Sequence, residues 1–574
     1  MFEYGIDWKI INEALIFVLV LKGTLYMAAI SQVSESRALS QLSTLMKQAD
    51  AHSSKKACKR AVDVWAQCKT SEKVLGVVVF LLTEHGQHEQ AITILQEAIT
   101  INGETSMLLQ LMGKVAIEMG TFDVGEKLFS RAILLEPTAE KYYVNLITCL
   151  RQQDKNEEAL ELVKAALEQF PENASLWNAL GILAKDELRD ELAAREFFRQ
   201  AIALDKENGN YYHNMGLVAY PNSDAQRFWL YHALHLEPEN SQFNLTYSFY
   251  LFAKGRMQEA WEHYWYRRDS SLGINKASEI NQSAPLWNGE CLKGKTIFIC
   301  AEQGIGDEVF FLMALKKTTI DAEMVLVVCD PRLVQLVERS YENCKAFPYE
   351  DTIKYGVRYR HFPLLDAFVS EGKVEIDYFA LMGDLMHYGL PTKAEFLSMR
   401  GGYFIADDCR VEKYKRVLLG SKRKKIGISW RSGNLKNERK YFYLSLRFFA
   451  ELSQMVDADY YVLQYTMDED EREFLKSFTN IKFFDGLDLK NDIEANIAIM
   501  FQLDLVLGPP VATQQFALAA DVPVWLFNRG KPWYFLDDDH IPAFFPKGSK
   551  WWVIGKDECL SLEDVADELK CFIQ

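Results

Sequence analysis

Small residues recur along the first half of the chain at a fixed step. Ala91, Gly125, Ala159 and Ala193 stand 34 residues apart, and Ala98, Ala132, Ala166 and Ala201 follow close to the same step. Small side chains at such spacing mark places where two helices touch, so the period predicts stacked helix pairs. Gly113 and Gly181 fall on first helices, Phe129 and Phe197 on second helices, and Pro137 and Pro171 at the ends of repeats. Two more units continue with defects. Tyr212 and Gly216 lead to Ala233 and Pro238 across a second helix expected to be shortened near Pro221-Asn-Ser-Asp224, and Gly255, Ala260 and Tyr264 complete Phe249 to Arg268. Residues 38–70 read as a degenerate capping repeat with Ala61, Val64 and Trp65 as its apolar face, for roughly six to seven helix pairs in all.

The 34-residue step resembles the tetratricopeptide pattern, best displayed by Trp177-Asn-Ala-Leu-Gly181 followed by Ala193, Phe197 and Ala201. After Arg268 the helical period stops. Short β-rich runs then alternate with helical segments: Thr296–Cys300, Met324–Cys329, Lys425–Trp430, Tyr460–Gln464, Ile481–Phe484, Leu503–Leu507 and Val522–Phe527. Such alternation predicts parallel strands with crossover helices. A helix-like Val411–Leu419 leading into the basic Lys422-Arg-Lys-Lys425 places a crossing between two Rossmann-like halves. The expected division is residues 1–37 as an apolar N-terminal helix or residues upstream of a start at Met27, 38–268 as repeats, 269–290 as linker, 291–415 as the first α/β half and 416–574 as the second.

Composition narrows the function classes. At 574 residues the chain is too long for one core. Its formal charge of −16 argues against general nucleic-acid binding, which needs clustered cations to neutralise phosphates. The ten cysteines form no C-x-x-C pair and no zinc-type cluster, which favours free thiols in a reducing cytoplasm and no metal site. The apolar run Ala14–Leu21 is too short to span a bilayer, so a membrane partner is not expected.

The candidate chemistry begins at Thr296-Ile-Phe-Ile-Cys-Ala-Glu-Gln-Gly-Ile-Gly-Asp307, an apolar run that breaks into a glycine-spaced loop before Glu308–Lys316. A buried strand, a tight turn and a helix start build ligand sites at the carboxyl end of α/β sheets, which puts Asp307 at that edge, facing a ligand. The competing assignment for Asp307 is a helix N-cap held by its own backbone. Glu302, Gln303, Gly304 and Gly306 form the loop, with Glu302 either sharing in the site or bracing it. Arg431, in Trp430-Arg-Ser-Gly-Asn434, places a guanidinium able to grip phosphate with two donors at a second sheet edge, with Asn434 in the same loop. Gln464 is a candidate contact for a nucleotide base or ribose.

Pro285-Leu-Trp-Asn-Gly289, Ala301-Glu-Gln-Gly-Ile-Gly-Asp307, Gly427-Ile-Ser-Trp-Arg-Ser-Gly-Asn434 and Leu503-Asp-Leu-Val-Leu-Gly508 resemble, in this order, bacterial proteins that fuse tetratricopeptide repeats to a GT-B glycosyltransferase domain akin to the ADP-heptose transferases. The resemblance runs from about residue 70 to 574, and Met257–Arg268 is similar to the last helix before the enzyme domain. It implies an α superhelix of repeats followed by an α/β GT-B fold, with two Rossmann-like halves facing a cleft. It implies sugar transfer from a nucleotide-activated donor, used as substrate, with neither metal nor cofactor. Asp307 matches the family position proposed as base, and Lys440 lies where the family carries a basic residue toward phosphate.

The loop Gly508-Pro-Pro-Val-Ala-Thr-Gln-Gln-Phe516 departs from the family's Asp-Thr-Ala-x-x-His run. Thr513, Gln514 and Gln515 stand there, where a helix N-terminus still offers amides to an anion. A single-phosphate CMP sugar fits the departure, and so does a decayed site. Asp492 is expected to cap a helix, and Lys531–Phe535 with Asp537–His540 to form an aromatic, acidic loop over the cleft or packed into the core. The resulting expectation is a cytoplasmic glycosyltransferase whose repeats hold a protein acceptor on their concave face for transfer to Ser or Thr. The expected architecture resembles that of flagellin glycosyltransferases that use CMP-activated nonulosonic acids, which implies flagellin as acceptor and such a sugar as donor. The alternative is a non-catalytic repeat scaffold.

Overall fold

The computed structural model describes residues 35–46, 54–268, 276–277, 284–354, 357–399, 402–420, 422–433, 443–528, 534, 544–554 and 561–574. The apolar run Ala14–Leu21, most of the linker, Asn434, Lys440 and all of the aromatic loop except Tyr534 lie outside them. The chain forms two compact units, Met1–Lys206 and Glu207–Gln574.

The first unit is a succession of antiparallel helix pairs. After a helix over 35–46 come Ser54–Trp65, Glu72–Glu84, His88–Asn102, Ser106–Glu118, Phe122–Leu135, Glu140–Gln152, Asn156–Gln169, Ala174–Leu183 and Glu191–Leu204. Ala61, Val64 and Trp65 are buried as the capping repeat requires. Side-chain caps start several of these helices: Ser71 accepts from Val74 N, Thr105 from Leu108 N and Asn173 from Leu176 N, each satisfying an orphan amide. The glycines of the first helices make room for an aromatic ring. A Cβ on Gly113 would lie 2.6 Å from Phe129 Cζ, and one on Gly181 2.5 Å from Phe198 Cε1.

The buried partners in the repeat after Gly181 are therefore Ala194 and Phe198, one residue beyond the expected Ala193 and Phe197. A five-residue π turn, Ala184–Leu188, supplies the extra residue. The turn between paired helices has a signature of its own. Gly86, Gly120, Asp154, Arg189, Asn222 and Gly255 all hold positive φ, from 54° to 70°, so one left-handed residue closes each first helix.

The second unit opens with two more pairs, Gly209–Val218 with Asp224–Leu236 and Ser241–Ala253 with Met257–Tyr264, the last continued by a 3-10 turn at Trp265–Arg268. The short member of the defective repeat is its first helix, of ten residues, whereas the second has thirteen. Ser223 explains the difference, because it caps the second helix through Gln226 N and fixes its start after Pro221.

Two parallel sheets follow. The first runs Cys344–Pro348, Met324–Cys329, Thr296–Cys300, Tyr378–Leu381, which is strand order 3-2-1-4 in chain sequence. The second runs Ile481–Lys482, Asp459–Val462, Lys425–Ile428, Leu505–Gly508, Val524–Asn528, Lys550–Val553, the doubly wound order 3-2-1-4-5-6. A hairpin, Glu350–Lys354 with Val357–His361, projects from the first half, and Lys276–Ala277 adds a parallel strand to it. Helix Asp408–Leu418 stands between the two sheets in chain order and spans position 415. Tyr403 and Phe404 donate backbone amides to Ala519 O, and Tyr403 Oη donates to Val309 O, so this segment holds a helix from each half. No helix among the described residues is long and apolar enough to cross a membrane, and none of the nine cysteines among them forms a disulfide.

Candidate functional site

In a doubly wound sheet the ligand crevice opens where the strand order reverses, between strands one and four. In the first sheet this point lies between Thr296–Cys300 and Tyr378–Leu381, and the chain fills it with its own cation. The Arg267 guanidinium, buried at the end of the last repeat helix, pairs with Glu302 through Nε (3.0 Å to Oε2) and Nη2 (3.0 Å to Oε1), and with Asp384 through Nη2 (2.7 Å). Gly383 N also donates to Glu302 Oε1 (2.8 Å), and Arg268 pairs with Asp384. Glu302 is a brace. Gln303 is held as well: its Nε2 donates to Tyr264 Oη (2.9 Å), and its carbonyl accepts from Arg360 Nη2 (2.9 Å).

With the loop pinned behind it, helix Ile305–Leu312 begins at Gly304, which caps it without a side chain. Asp307 is therefore the third helical residue and not the N-cap. Its side chain is exposed, whereas the next residue, Glu308, is buried. Glu308 Oε2 accepts from Asp330 N (2.8 Å) and Oε1 from Tyr349 Oη (3.0 Å), with Arg360 Nη1 at 3.7 Å. Burial pushes its carboxyl up to about 7 against the opposing pull of Arg360. Two carboxylates adjacent in sequence thus occupy opposite environments, and of the two only Asp307 reaches solvent.

The second sheet brings its own helix start to the same place. Helix Ala512–Ala519 follows strand Leu505–Gly508, and a Cβ on Gly306 would lie 3.3 Å from Ala512 Cα, so the two first turns are in contact. Thr513 and Gln514 are buried and Gln515 is half-buried. Gln514 Nε2 donates to Ser429 Oγ (3.0 Å) across the reversal point of this sheet, and its Oε1 has no hydrogen-bond partner. Gly508 must lack a side chain, because a Cβ would sit 2.4 Å from Gln514 Nε2 and 2.5 Å from Ser429 O.

Arg431 stands at the end of strand Lys425–Ile428, and its guanidinium is engaged by Glu471 (Nη2 to Oε2, 2.6 Å). Glu471 also accepts from Trp430 Nε1 (3.1 Å) and closes a capping box with Asp468. Gln464 turns toward protein: Oε1 accepts from Trp430 N (3.0 Å) and Arg431 N (3.2 Å), and Nε2 donates to Arg431 O (3.0 Å). Asp492 caps helix Ile493–Met500 through Ala495 N (3.0 Å) and pairs with Arg410.

Sequence reasoning missed Tyr264, Arg267, Arg360, Glu471 and Tyr465, whose hydroxyl accepts from Gly433 N (2.7 Å). Glu471 left a local signal in the Asp468-x-x-Glu471 box, and Tyr264 and Arg267 lie in the segment Met257–Arg268 that the sequence marked only as the last repeat helix. Burial of Tyr264 and Tyr534 holds both phenols well above their usual range. For Tyr264 the Arg267 charge opposes this, and for both the Asp307 charge adds to it, so Asp307 has a phenol from the last repeat pair and one from the second half in its field.

Comparison with known proteins gives a coarser picture. Residues 146–209 match the tetratricopeptide repeat family. Protein FlbA of Caulobacter vibrioides is 27% identical over 446 residues, covering 75% of this chain and 73% of its own length. Human protein O-mannosyl-transferase TMTC1 is 23% identical over 173 residues, which span 29% of this chain and 20% of the human one. Among solved structures, the tetratricopeptide protein TTC0263 of Thermus thermophilus is 18% identical with TM-score 0.29, covering 32% of this chain and 99% of its own. MamA of Desulfovibrio magneticus is 20% identical with TM-score 0.24, covering 29% and 96%. Residues 146–209 thus match tetratricopeptide repeats, the C-terminal part is an α/β region of parallel sheets, and the chain is similar along three quarters of its length to FlbA.

Proposed function

We propose that the chain is a GT-B glycosyltransferase that moves a sugar from a nucleotide-activated donor to a Ser or Thr hydroxyl of a protein held by its repeats. Asp307 takes the hydroxyl proton as the oxygen attacks the anomeric carbon. The bond from that carbon to the donor phosphate breaks, and its electron pair leaves with the nucleotide. Amides in the first turn of helix Ala512–Ala519, with Thr513, Gln514 and Gln515, receive the phosphate, since the first amides of a helix have no partner within it. Arg431 adds positive charge there, and Gln464 sets the backbone that carries it. Asn434 and Lys440 belong to the same proposed donor site.

The observation that supports this reading is the contact of Gly306, the neighbour of exposed Asp307, with Ala512 at the helix start of a second sheet wound 3-2-1-4-5-6. Tetratricopeptide arrays commonly present a concave surface to a polypeptide, and one relative bears the name of a protein O-mannosyl-transferase. Flagellin is the proposed acceptor class and a CMP-activated nonulosonic acid the proposed donor, in a cytoplasmic setting. The second reading, a repeat scaffold with a non-catalytic α/β region, draws on the Arg431–Glu471 pair, which occupies the guanidinium intended for phosphate. Calorimetry with CMP, UDP, ADP and GDP separates the two. Binding of one nucleotide supports the transferase, and no binding of any supports the scaffold.

A further inference from the structure

The loop that presents Asp307 is fastened to the repeats. Glu302 is held by Arg267, and the Gln303 side chain by Tyr264. Both holders come from the last repeat helix and the turn that ends it, Met257–Arg268, and not from the sheet that carries the loop. Tyr264 is 5% exposed, with Phe252 and Trp261 edge-on to its ring (5.9 and 5.5 Å) and the Arg267 guanidinium 4.7 Å over its face. Its hydroxyl therefore occupies a fixed point, and the Gln303 amide meets it there.

We propose that Tyr264 is a positioning residue for Asp307, so that the end of the repeat array is an integral part of the transfer site. The proposal rests on the base assignment made above. The bond from Gln303 Nε2 to Tyr264 Oη sets the loop one residue before Gly304, and Gly304 O accepts from both Asp307 N (2.9 Å) and Glu308 N (3.0 Å). The link from Tyr264 to the first turn of the Asp307 helix thus runs through one side-chain bond and one peptide. A polypeptide engaging the last repeat pair bears on the helix that holds Tyr264, and through it on the base.

Tyr264→Phe in the full chain removes the hydroxyl and keeps the ring, and Gln303→Met removes the other partner of the same bond. Tyr266→Phe is the control, because Tyr266 Oη donates to Glu239 (3.0 Å) away from the loop. Hydrogen exchange over residues 302–308 is measured first, since it needs no turnover. Both variants are expected to exchange there about tenfold faster than native, with helix Ala512–Ala519, nucleotide affinity and the Tyr266→Phe control unchanged. In transfer assays kcat is expected to fall about tenfold in either variant without a change in acceptor KM. The double variant should be no worse than either single one, as for two residues that share one interaction. Native exchange over 302–308 in both variants, native kcat despite faster exchange, or additive losses would each overturn the proposal. Undiminished transfer by Asp307→Asn would instead overturn the base assignment and leave the exchange result standing.

Discussion

A Cβ placed on Gly306 would lie 3.3 Å from Ala512 Cα, closer than side chains ordinarily approach a backbone. The helix of the proposed base and the proposed phosphate-binding helix thus touch at their first turns, and the absence of a side chain sets their separation. Gly306→Val should push these turns apart. The expected result is a fall of at least tenfold in kcat/KM, because small misplacements of reacting groups are costly. The melting temperature should drop by only a few degrees, as overpacking typically costs about 1–3 kcal/mol. Native kcat/KM in Gly306→Val would show that this contact has no part in the chemistry.

Arg431 and Glu471 form a pair whose side chains are 18% and 19% exposed, so a ligand phosphate must compete with a carboxylate for the guanidinium. Glu471→Gln keeps an oxygen for Trp430 Nε1 and removes the competing charge. Nucleotide affinity should rise about three- to tenfold at low salt, with a steeper salt dependence, while Arg431→Met should weaken it. Calorimetry at two ionic strengths decides, and identical affinity in all three proteins would remove Arg431 from the donor site.

Glu308 supplies a pH signature. Its carboxyl titrates at about 7 in the folded chain because burial penalises the charge, whereas its ordinary value is 4.5. Between these values the folded state holds more protons than the unfolded one, so stability falls as pH rises from about 4.5 and levels off above about 7. Arg360, the Asp330 amide and the Tyr349 hydroxyl face the group and moderate the effect, while the Asp330 charge adds to it. Glu308→Gln, neutral throughout, should gain on native by about 1–3 kcal/mol between pH 5 and pH 8. A constant difference in denaturant midpoints across that range would mean that Glu308 is not the group concerned.

The strands legible in the sequence are mostly those with neighbours on both sides. Thr296–Cys300 and Met324–Cys329 match their expected bounds, because a strand covered on both faces must be apolar throughout. Cys344–Pro348, Tyr378–Leu381 and Lys550–Val553 escaped notice, and each lies at the edge of its sheet, where exposure admits Lys345, Tyr378 and Lys550 into the pattern. The one-residue shift to Phe198 was hidden for a different reason, since a π turn adds a residue without changing composition. At the site, residue types were readable but side-chain directions were not. Glu302, Gln303 and Gln464 are polar residues turned inward to fix backbone or meet partners distant in sequence. Arg267 and Glu471 enter only when the fold brings them across 35 and 40 positions.

The boundary for a truncation follows from the same contacts. A cut at residue 268 removes Tyr264 and Arg267 and leaves Glu302 and Asp384 buried without their cation, which is expected to cost several kcal/mol. Removal of residues 1–206 respects the two compact units. It should preserve nucleotide affinity and the melting transition of the remainder while acceptor KM rises at least tenfold. Unchanged acceptor KM would assign the first unit a purely structural task.

Asp307 offers the most direct test of the transferase assignment. Native chain and Asp307→Asn are each incubated with flagellin and CMP-, UDP-, ADP- or GDP-activated sugars, and the intact mass of the acceptor is recorded. The native chain should add the mass of one sugar with one donor class. Asp307→Asn should bind the same nucleotide equally well and add sugar at least about 100-fold more slowly, the usual scale for loss of a general base. Equal mass gain in both proteins would contradict the role of Asp307, and no gain with any donor, together with no nucleotide bound, would contradict the transferase itself.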